Sequence, residues 1–402
     1  MPERNEVATL IVGAGVTGVA LARELARRGH HRVAVADKEA RVAFHTSGRN
    51  SGVVHAGYNP RPGTLKARLC VDGNRMLRDF AHKRGVPLLE GGILIVAACD
   101  REIPRLEELL RRGQESGVPG MRLVGGDGIA DIEPHATGVA AVHAPSGASI
   151  DAAALVAALA EEARSAGVEV LLGQGVDAVE RRGGGFEARL GDRRLRAGRL
   201  INCAGLHADR VAHPLGAGLG YRILPVRGEY RLVRPERRSL ARSMIYPVPD
   251  LAFPFLGVHW TRTATGEVKV GPNAVPALGR EAYRWRQSSI RGAWELAADL
   301  RSWKLLRQPG FARLIGGQLL TSLSRRRMAA AAATLVPGTE ARDLLPGPAG
   351  IRAQLLDADG RLVEDLTIEE KDGAVHVLNV VSPGLTCALA FAAYLADRIE
   401  GR

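Results

Sequence analysis

From Val7 to Asp37 the hydrophobic positions change rhythm twice. Residues 8–12 form a continuous apolar run with the length and β-branched content of a strand buried on both faces. The run empties into Gly13, Gly15 and Gly18, spaced G-x-G-x-x-G. Apolar positions then recur at helical spacing. Leu21 and Leu25 lie one turn apart, Arg27 and Arg28 fall in the last turn, and Gly29 is placed to stop the helix. Residues 32–36 predict a second buried strand ending on Asp37. A strand–turn–helix–strand unit of this kind is built to hold a dinucleotide. Gly13 permits the tight turn, Gly15 lets the backbone approach a pyrophosphate, and Gly18 lets the helix pack closely on the strand. The helix N-terminus at Val16 offers free N–H groups and a positive end to the diphosphate. Asp37 is placed to accept hydrogen bonds from a ribose hydroxyl. The pattern alone leaves NAD(P) and FAD both open.

Further along, the spacing predicts a helix over residues 65–84, strands within 87–96 and an amphipathic helix over 103–116. Asp151 can cap a helix running to Ser165, with Gly167 as its stop. Strand-like pieces follow at 168–172, 176–180, 186–190 and 199–203, the last emptying into Ala204 and Gly205. This block reads as the second half of a dinucleotide sheet, returning after an insertion. Residues 221–275 are strand-rich, 281–328 read as helical with Trp285, Trp294 and Trp303 among many arginines, and 350–402 return to strands. A helix over 385–399, capped by Ser382 or Thr386, closes the chain. The predicted class is α/β (α+β), with two interleaved domains. A discontinuous Rossmann-like nucleotide domain takes 1–84, 148–216 and 336–402. An antiparallel-sheet-plus-helices substrate domain takes 85–147 and 217–335.

Composition narrows the function classes. The chain has 402 residues, 46% of them hydrophobic, and no run approaches the ~20 apolar residues that span a bilayer. The first strand begins near residue 7, so a cytoplasmic location is expected. The net charge of +12 would suit an anionic partner, yet all but six of the 55 basic residues are Arg and they are scattered, apart from Arg325 to Arg327. Nucleic acid is therefore disfavoured, and an anionic metabolite or membrane surface is preferred. Cys70, Cys99, Cys203 and Cys387 lie far apart, form no metal-binding pair and read as buried thiols; no metal is expected.

Longer blocks carry a family resemblance. They are HTSGRNSGVVHAG (45–57) with PGTLKARLC (62–70), LPVRGEY (224–230), IYPVPDLAFPFLGVHWT (245–261), VGPNAV (270–275) and GPAGIRAQLLDADGRLVED (347–365). Together with the Val7–Asp37 unit and the Cys203–Gly205 return, they resemble the L-2-hydroxyglutarate dehydrogenase/oxidase family of the D-amino-acid oxidase/glycine oxidase superfamily. Departures from the family pattern are Asp37 where Glu is usual, Arg49 where His is common, and a divergent stretch over 294–337. The resemblance implies FAD as cofactor, a 2-hydroxy-dicarboxylate as substrate and 2-oxoglutarate as product. Lys38, His45, Thr46, Asn50, Ser51 and Gly52 are then expected near the cofactor, with Ala204, Gly205, Ser382 and Thr386. The final helix would aim its positive end at the flavin.

Moving a hydride from Cα to a flavin while a base takes the hydroxyl proton needs a carboxylate clamp and a base. Arg352 suits the clamp, because a planar guanidinium grips a carboxylate bidentately. His55 and His259 compete as the base, with His55 slightly preferred. Tyr246, Thr261 and Arg262 are candidates for the second substrate carboxylate. Two alternatives stay open: a superfamily member acting on an amine or glycerol 3-phosphate, and a flavin-dependent RNA-modifying protein. Quinone or oxygen would accept the electrons. The Trp- and Arg-bearing segment offers peripheral attachment to the inner face of the plasma membrane, against a simpler role as cap helices packed by Trp. Oligomeric state is not legible.

Overall fold

A computed structural model describes residues 5–250 and 257–402. Residues 251–256 of the 245–261 block lie outside the described residues. The expected Val7–Asp37 unit forms as the strand Glu6–Val12, the helix Val16–Arg27 and the strand Val33–Asp37. Its two strands are central to an eight-stranded sheet whose parallel part runs Glu169–Leu172, Val33–Asp37, Glu6–Val12, Arg193–Asn202, Ala374–Asn379. Arg193–Asn202 serves two neighbours on one edge. Its first half pairs antiparallel with Gly185–Leu190, and residues 200–202 then pair parallel with 374–376. Leu21, Leu25, Leu77, Leu159, Phe391 and Leu395 form the core that packs the flanking helices on this sheet.

The second sheet has nine strands, in the order Arg122–Gly125, Ala140–Ala144, Ile93–Ala97, Met244–Pro247, His259–Arg262, Val268–Gly271, Arg222–Val233, Leu344–Leu356, with Val275–Pro276 also on Arg222–Val233. It is antiparallel except where Ile93–Ala97 meets Met244–Pro247. Those two strands belong to different insertions, so no hairpin dictates their direction. Leu344–Leu356 lies inside 336–402, yet it is bonded along nearly its whole length to Arg222–Val233, with one bulge between Glu229 and Arg231. A three-stranded sheet of Val53–Val54, Ala148–Ile150 and Leu88–Leu89 pins the loop that precedes it.

Within 281–328 the expected helix is broken into several. Ile290–Ala297, Leu300–Leu306, Phe311–Leu323 and Arg325–Ala333 follow one another, and Ser289, Asp299 and Ser324 each accept a backbone N–H at a fresh N-terminus. Leu305, Phe311 and Ile315 pack inward against Leu224, Val226 and Leu356. The tryptophans do not pack the cap as expected: Trp285, Trp294 and Trp303 are all exposed, because leucine and phenylalanine fill the inward face. The last helix is Gly384–Glu400, and Pro383 precedes it with no side-chain cap. Neither Ser382 nor Thr386 caps it, since Thr386 sits inside the first turn and bonds elsewhere. Cys99 is half-exposed, unlike the other three thiols.

A buried ion pair ties the two sheets together. Asp209, on the helix Ala208–Ala212, holds the Arg280 guanidinium bidentately at 2.6 and 2.9 Å and accepts the Ile223 N–H at 3.1 Å. Both side chains are almost fully buried, so removing one strands the other's charge. Arg280→Met is expected to destabilise the protein by about 3–5 kcal/mol, and Asp209→Leu in the same chain to recover much of that loss. Urea unfolding of the single and double variants measures both.

Candidate active site

One long cleft runs between the sheets, lined by the glycine turn, residues 43–55, the Cys203–His207 turn, residues 350–353 and the start of the last helix. Its floor at one end is backbone. A side chain on Gly13, whose φ is +110°, would meet the Cys203 carbonyl at 2.5 Å, and one on Gly18 would meet the Gly13 carbonyl at 2.0 Å. Gly13, Gly15 and Val16 line the cleft with backbone that a side chain would crowd, while Gly18 serves the packing behind them. Asp37 lines the cleft and accepts the Ala14 N–H at 2.7 Å and the Glu39 N–H at 2.9 Å. The Ser47 hydroxyl accepts the Val16 N–H at 2.9 Å, placing a polar group beside the helix N-terminus. Sequence reasoning missed Ser47, although the hydroxyl-rich run around it was the available signal.

The loop carrying Thr46 to Gly52 is shaped by its own bonds. Asn50 donates to the Ser47 carbonyl at 2.8 Å and accepts the Gly52 N–H at 2.8 Å, and Thr46 donates to the Ile351 carbonyl at 2.9 Å. Thr46, Asn50, Ser51, Ala204, Gly205, Ser382 and Thr386 all line the cleft, whereas Gly52 packs behind it against Ile150. His45 lines the mouth and bonds Tyr283 Oη at 2.6 Å. Lys38 stays outside, with its ammonium against Glu39, Glu281 (2.8 Å) and His45 (3.0 Å). Among the described residues Glu39, His45 and Glu281 are close enough to share a cation, and Lys38 supplies one. Glu281 is held down to about 2, first by its bond to His207 and, against the opposing effect of burial, by Lys38.

At the other end Arg352, His55, His259, Tyr246 and Tyr230 face one another across the cleft. No carboxylate among the described residues pairs with Arg352. His259 Nδ1 lies 2.9 Å from the Gly257 carbonyl, which fixes the proton on Nδ1 and leaves Nε2 an acceptor. Among the described residues that Nε2 and the Tyr246 hydroxyl are buried without a hydrogen-bond partner, and their rings lie 4.1 Å apart. His55 is pinned through its backbone: its N–H donates to Thr386 Oγ1 at 3.0 Å and its carbonyl accepts from Asn74 at 3.0 Å. Burial first, then the charges of Arg352 and Lys66, push His55 down to about 4. Burial chiefly, with Arg352 and His55 adding, pushes His259 to about 3 against the opposing Gly257 carbonyl. Burial raises the Tyr246 hydroxyl.

Two expected substrate contacts fall elsewhere. Arg262 donates to the Arg238 and Ala241 carbonyls at 3.2 and 3.3 Å, on the strand face opposite His259, where Trp260 also points into a separate core. Alternation along His259–Arg262 forces this. Thr261 is buried cross-strand from Met244, off the cleft wall.

Residues 8–398 match the family described as FAD dependent oxidoreductase. The chain belongs to that family. It is 38% identical to the L-2-hydroxyglutarate dehydrogenase of Indibacter alkaliphilus, over 95% of this chain and 96% of the relative. Escherichia coli strain K12 has an enzyme of the same name, 34% identical over 97% of this chain and 92% of that one. The human mitochondrial L-2-hydroxyglutarate dehydrogenase is 35% identical, over 98% and 88%. The chain is thus also a member of the L-2-hydroxyglutarate dehydrogenase family, as the longer blocks implied. Among solved structures, the FAD-bound L-alpha-glycerophosphate oxidase of Mycoplasma pneumoniae superposes with a TM-score of 0.80 at 24% identity, covering 98% of this chain and 95% of that one. That likeness shows the fold.

The cleft of this FAD-dependent oxidoreductase fits its cofactor. The backbone cradle at Gly13 to Val16 suits a diphosphate, and the orphaned polar atoms lie at the opposite end. Keeping two histidines neutral has a cost in acid. Below pH 6.5 the unfolded chain takes up protons that the fold excludes until about pH 3–4, so stability falls as pH drops. Between pH 7.5 and 5 the loss is expected to be about 2 kcal/mol from His259 and less from the more accessible His55. Urea midpoints across that range should fall more gently in His259→Gln.

Proposed function

We propose that the chain oxidises L-2-hydroxyglutarate to 2-oxoglutarate. The observation that carries this reading is Arg352, without a carboxylate partner among the described residues, facing an acceptor-ready His259 in a cleft continuous with the glycine cradle, in a chain akin to dehydrogenases of that name. The guanidinium of Arg352 grips the C1 carboxylate bidentately and turns the Cα–H toward the cofactor side. His259 Nε2 takes the hydroxyl proton, a task its neutral state at pH 7 permits. Tyr246 Oη lies beside it and donates to the substrate. Gly13, Gly15, Val16, Asp37 and the 46–51 loop would hold FAD, which when bound would supply the hydride acceptor. The helix Gly384–Glu400 opens on the cleft, and its free N–H groups stabilise negative charge developing there.

The test is anaerobic bleaching of the FAD-loaded protein. L-2-hydroxyglutarate should bleach it, and the D enantiomer, glycine, sarcosine and glycerol 3-phosphate should not; bleaching by an amine or by glycerol 3-phosphate alone overturns the assignment. His259→Gln should slow reduction by about 10²–10⁴-fold, with His55→Gln milder.

For the electron acceptor we propose a quinone met at an anionic membrane surface. Among the described residues no helix is long and apolar enough to cross a membrane. Three short helices nevertheless expose Ile290 (92%), Trp294 (71%), Leu300 (75%) and Leu323 (74%), and each carries an exposed basic residue: Arg291, Lys304 and Arg313. Apolar anchors beside cations suit an anionic bilayer interface. The protein should co-sediment with vesicles containing phosphatidylglycerol and stay in solution with phosphatidylcholine alone, and Trp294→Glu with Leu300→Glu should abolish the difference.

A further inference from the structure

A second cleft adjoins the first and is joined to it through shared walls at His55, Arg352 and residues 381–383. Lys66 lines it, on the first turn of the helix Leu65–Arg84, and none of the residues assigned above accounts for its place there. Its side chain is half-buried, and its ammonium donates to the Glu364 carbonyl. An ammonium has three donors, so two remain for a ligand. Arg61 is exposed at the rim of the same cleft. Arg112 also lines it, but is committed to Glu108 at 2.7 Å. Three acids share the walls, Asp250, Glu364 and Asp365, so the cleft is no general anion sink. The charge that reaches the reacting end is nonetheless positive on both sides of His55, from Arg352 and from Lys66.

We propose that Lys66 seats the distal carboxylate of the substrate and sets the preference for a dicarboxylate over a monocarboxylate 2-hydroxy acid. The inference rests on the substrate reading above and deepens it. One carboxylate on Arg352 leaves the rest of a five-carbon chain to pass His55 through the shared wall into the second cleft, where Lys66 is the cation partly withdrawn from solvent. Burial pulls the Lys66 ammonium below its ordinary value, and a bound carboxylate offsets that loss. Arg61 at the rim would draw an anion inward without holding it. Tyr246 is left to the reacting end, Thr261 lines neither cleft, and Arg262 lies on the face of its strand opposite His259.

The test compares L-2-hydroxyglutarate with L-2-hydroxyglutaramate, in which the distal carboxylate becomes a neutral carboxamide of the same shape. Anaerobic flavin reduction is followed in FAD-loaded wild type, Lys66→Met and Lys66→Arg. The ratio of kcat/KM for the acid to that for the amide should fall about 10–100-fold in Lys66→Met, mainly through KM. Lys66→Arg should keep the ratio within about fivefold of wild type. Equal losses on both compounds in Lys66→Met, or no loss on either, overturn the seat and leave the substrate reading standing. Failure of wild type to be bleached by the acid overturns the substrate reading and the seat with it. Should Lys66→Met not retain flavin, Lys66→Gln supplies the same ratio.

Discussion

An unpaired guanidinium governs this cleft. Arg352 has no carboxylate partner among the described residues, yet it sits half-buried where its field reaches both histidines and both tyrosines of the reacting end. A partly desolvated charge left unpaired is costly unless a ligand supplies the counter-ion. The fold tolerates it because the strand that bears it is anchored along nearly its full length to Arg222–Val233 and held to the cofactor loop by the Thr46 bond to Ile351. Burial first, with the charge of Arg352 added, keeps the histidines neutral. A carboxylate ligand would supply that counter-ion, and His259 Nε2 is already an acceptor beside it.

The two long strands also explain how two interleaved units make one site. Leu344–Leu356 and Arg222–Val233 belong to the second sheet, but their central residues, 350–353 and Gly228 with Tyr230, line the cleft beside the nucleotide loop and the turn at Ala204. His259 arrives on a different strand of that sheet, and His55 arrives on the nucleotide side. The buried Asp209–Arg280 pair fixes the two sheets close to the place where these pieces meet. Orientation of clamp against base is thus set by backbone pairing and one ion pair, with little left to flexible side chains.

How much of this was legible in the sequence depends on the range of the interactions. The Val7–Asp37 unit was fully legible, because its strand, glycines, helix and acid are contiguous and each glycine answers a local demand. That Arg352, His55 and His259 share one cleft was legible through the family blocks that surround them. Arg262 was misplaced because the strand alternation at His259–Arg262 had not been applied, and that period alone turns it away. Lys66 and Ser47 were not legible as cleft residues, since only tertiary contacts bring Lys66 to a second cleft and Ser47 over the Val16 N–H. The cap of the last helix failed for a related reason: Thr386 has the right chemistry for a cap, but its hydroxyl is taken by the His55 N–H, a contact more than 300 residues away in sequence.

The electrostatics carry a further consequence for the order of events. In the free protein, burial and the positive neighbours hold His259 near 3 and His55 near 4, too weak as bases for efficient proton transfer at neutral pH. Binding a carboxylate to Arg352 cancels one of the charges that depress them, and a second carboxylate on Lys66 would cancel another for His55. Both effects would raise the imidazoles only partway, because burial, the larger cause, remains, and both exist only while the anion is present. The substrate therefore strengthens the base that acts on it. A monocarboxylate supplies only the first increment, so the charge pattern that recognises the substrate and the charge pattern that tunes the base are the same set of residues.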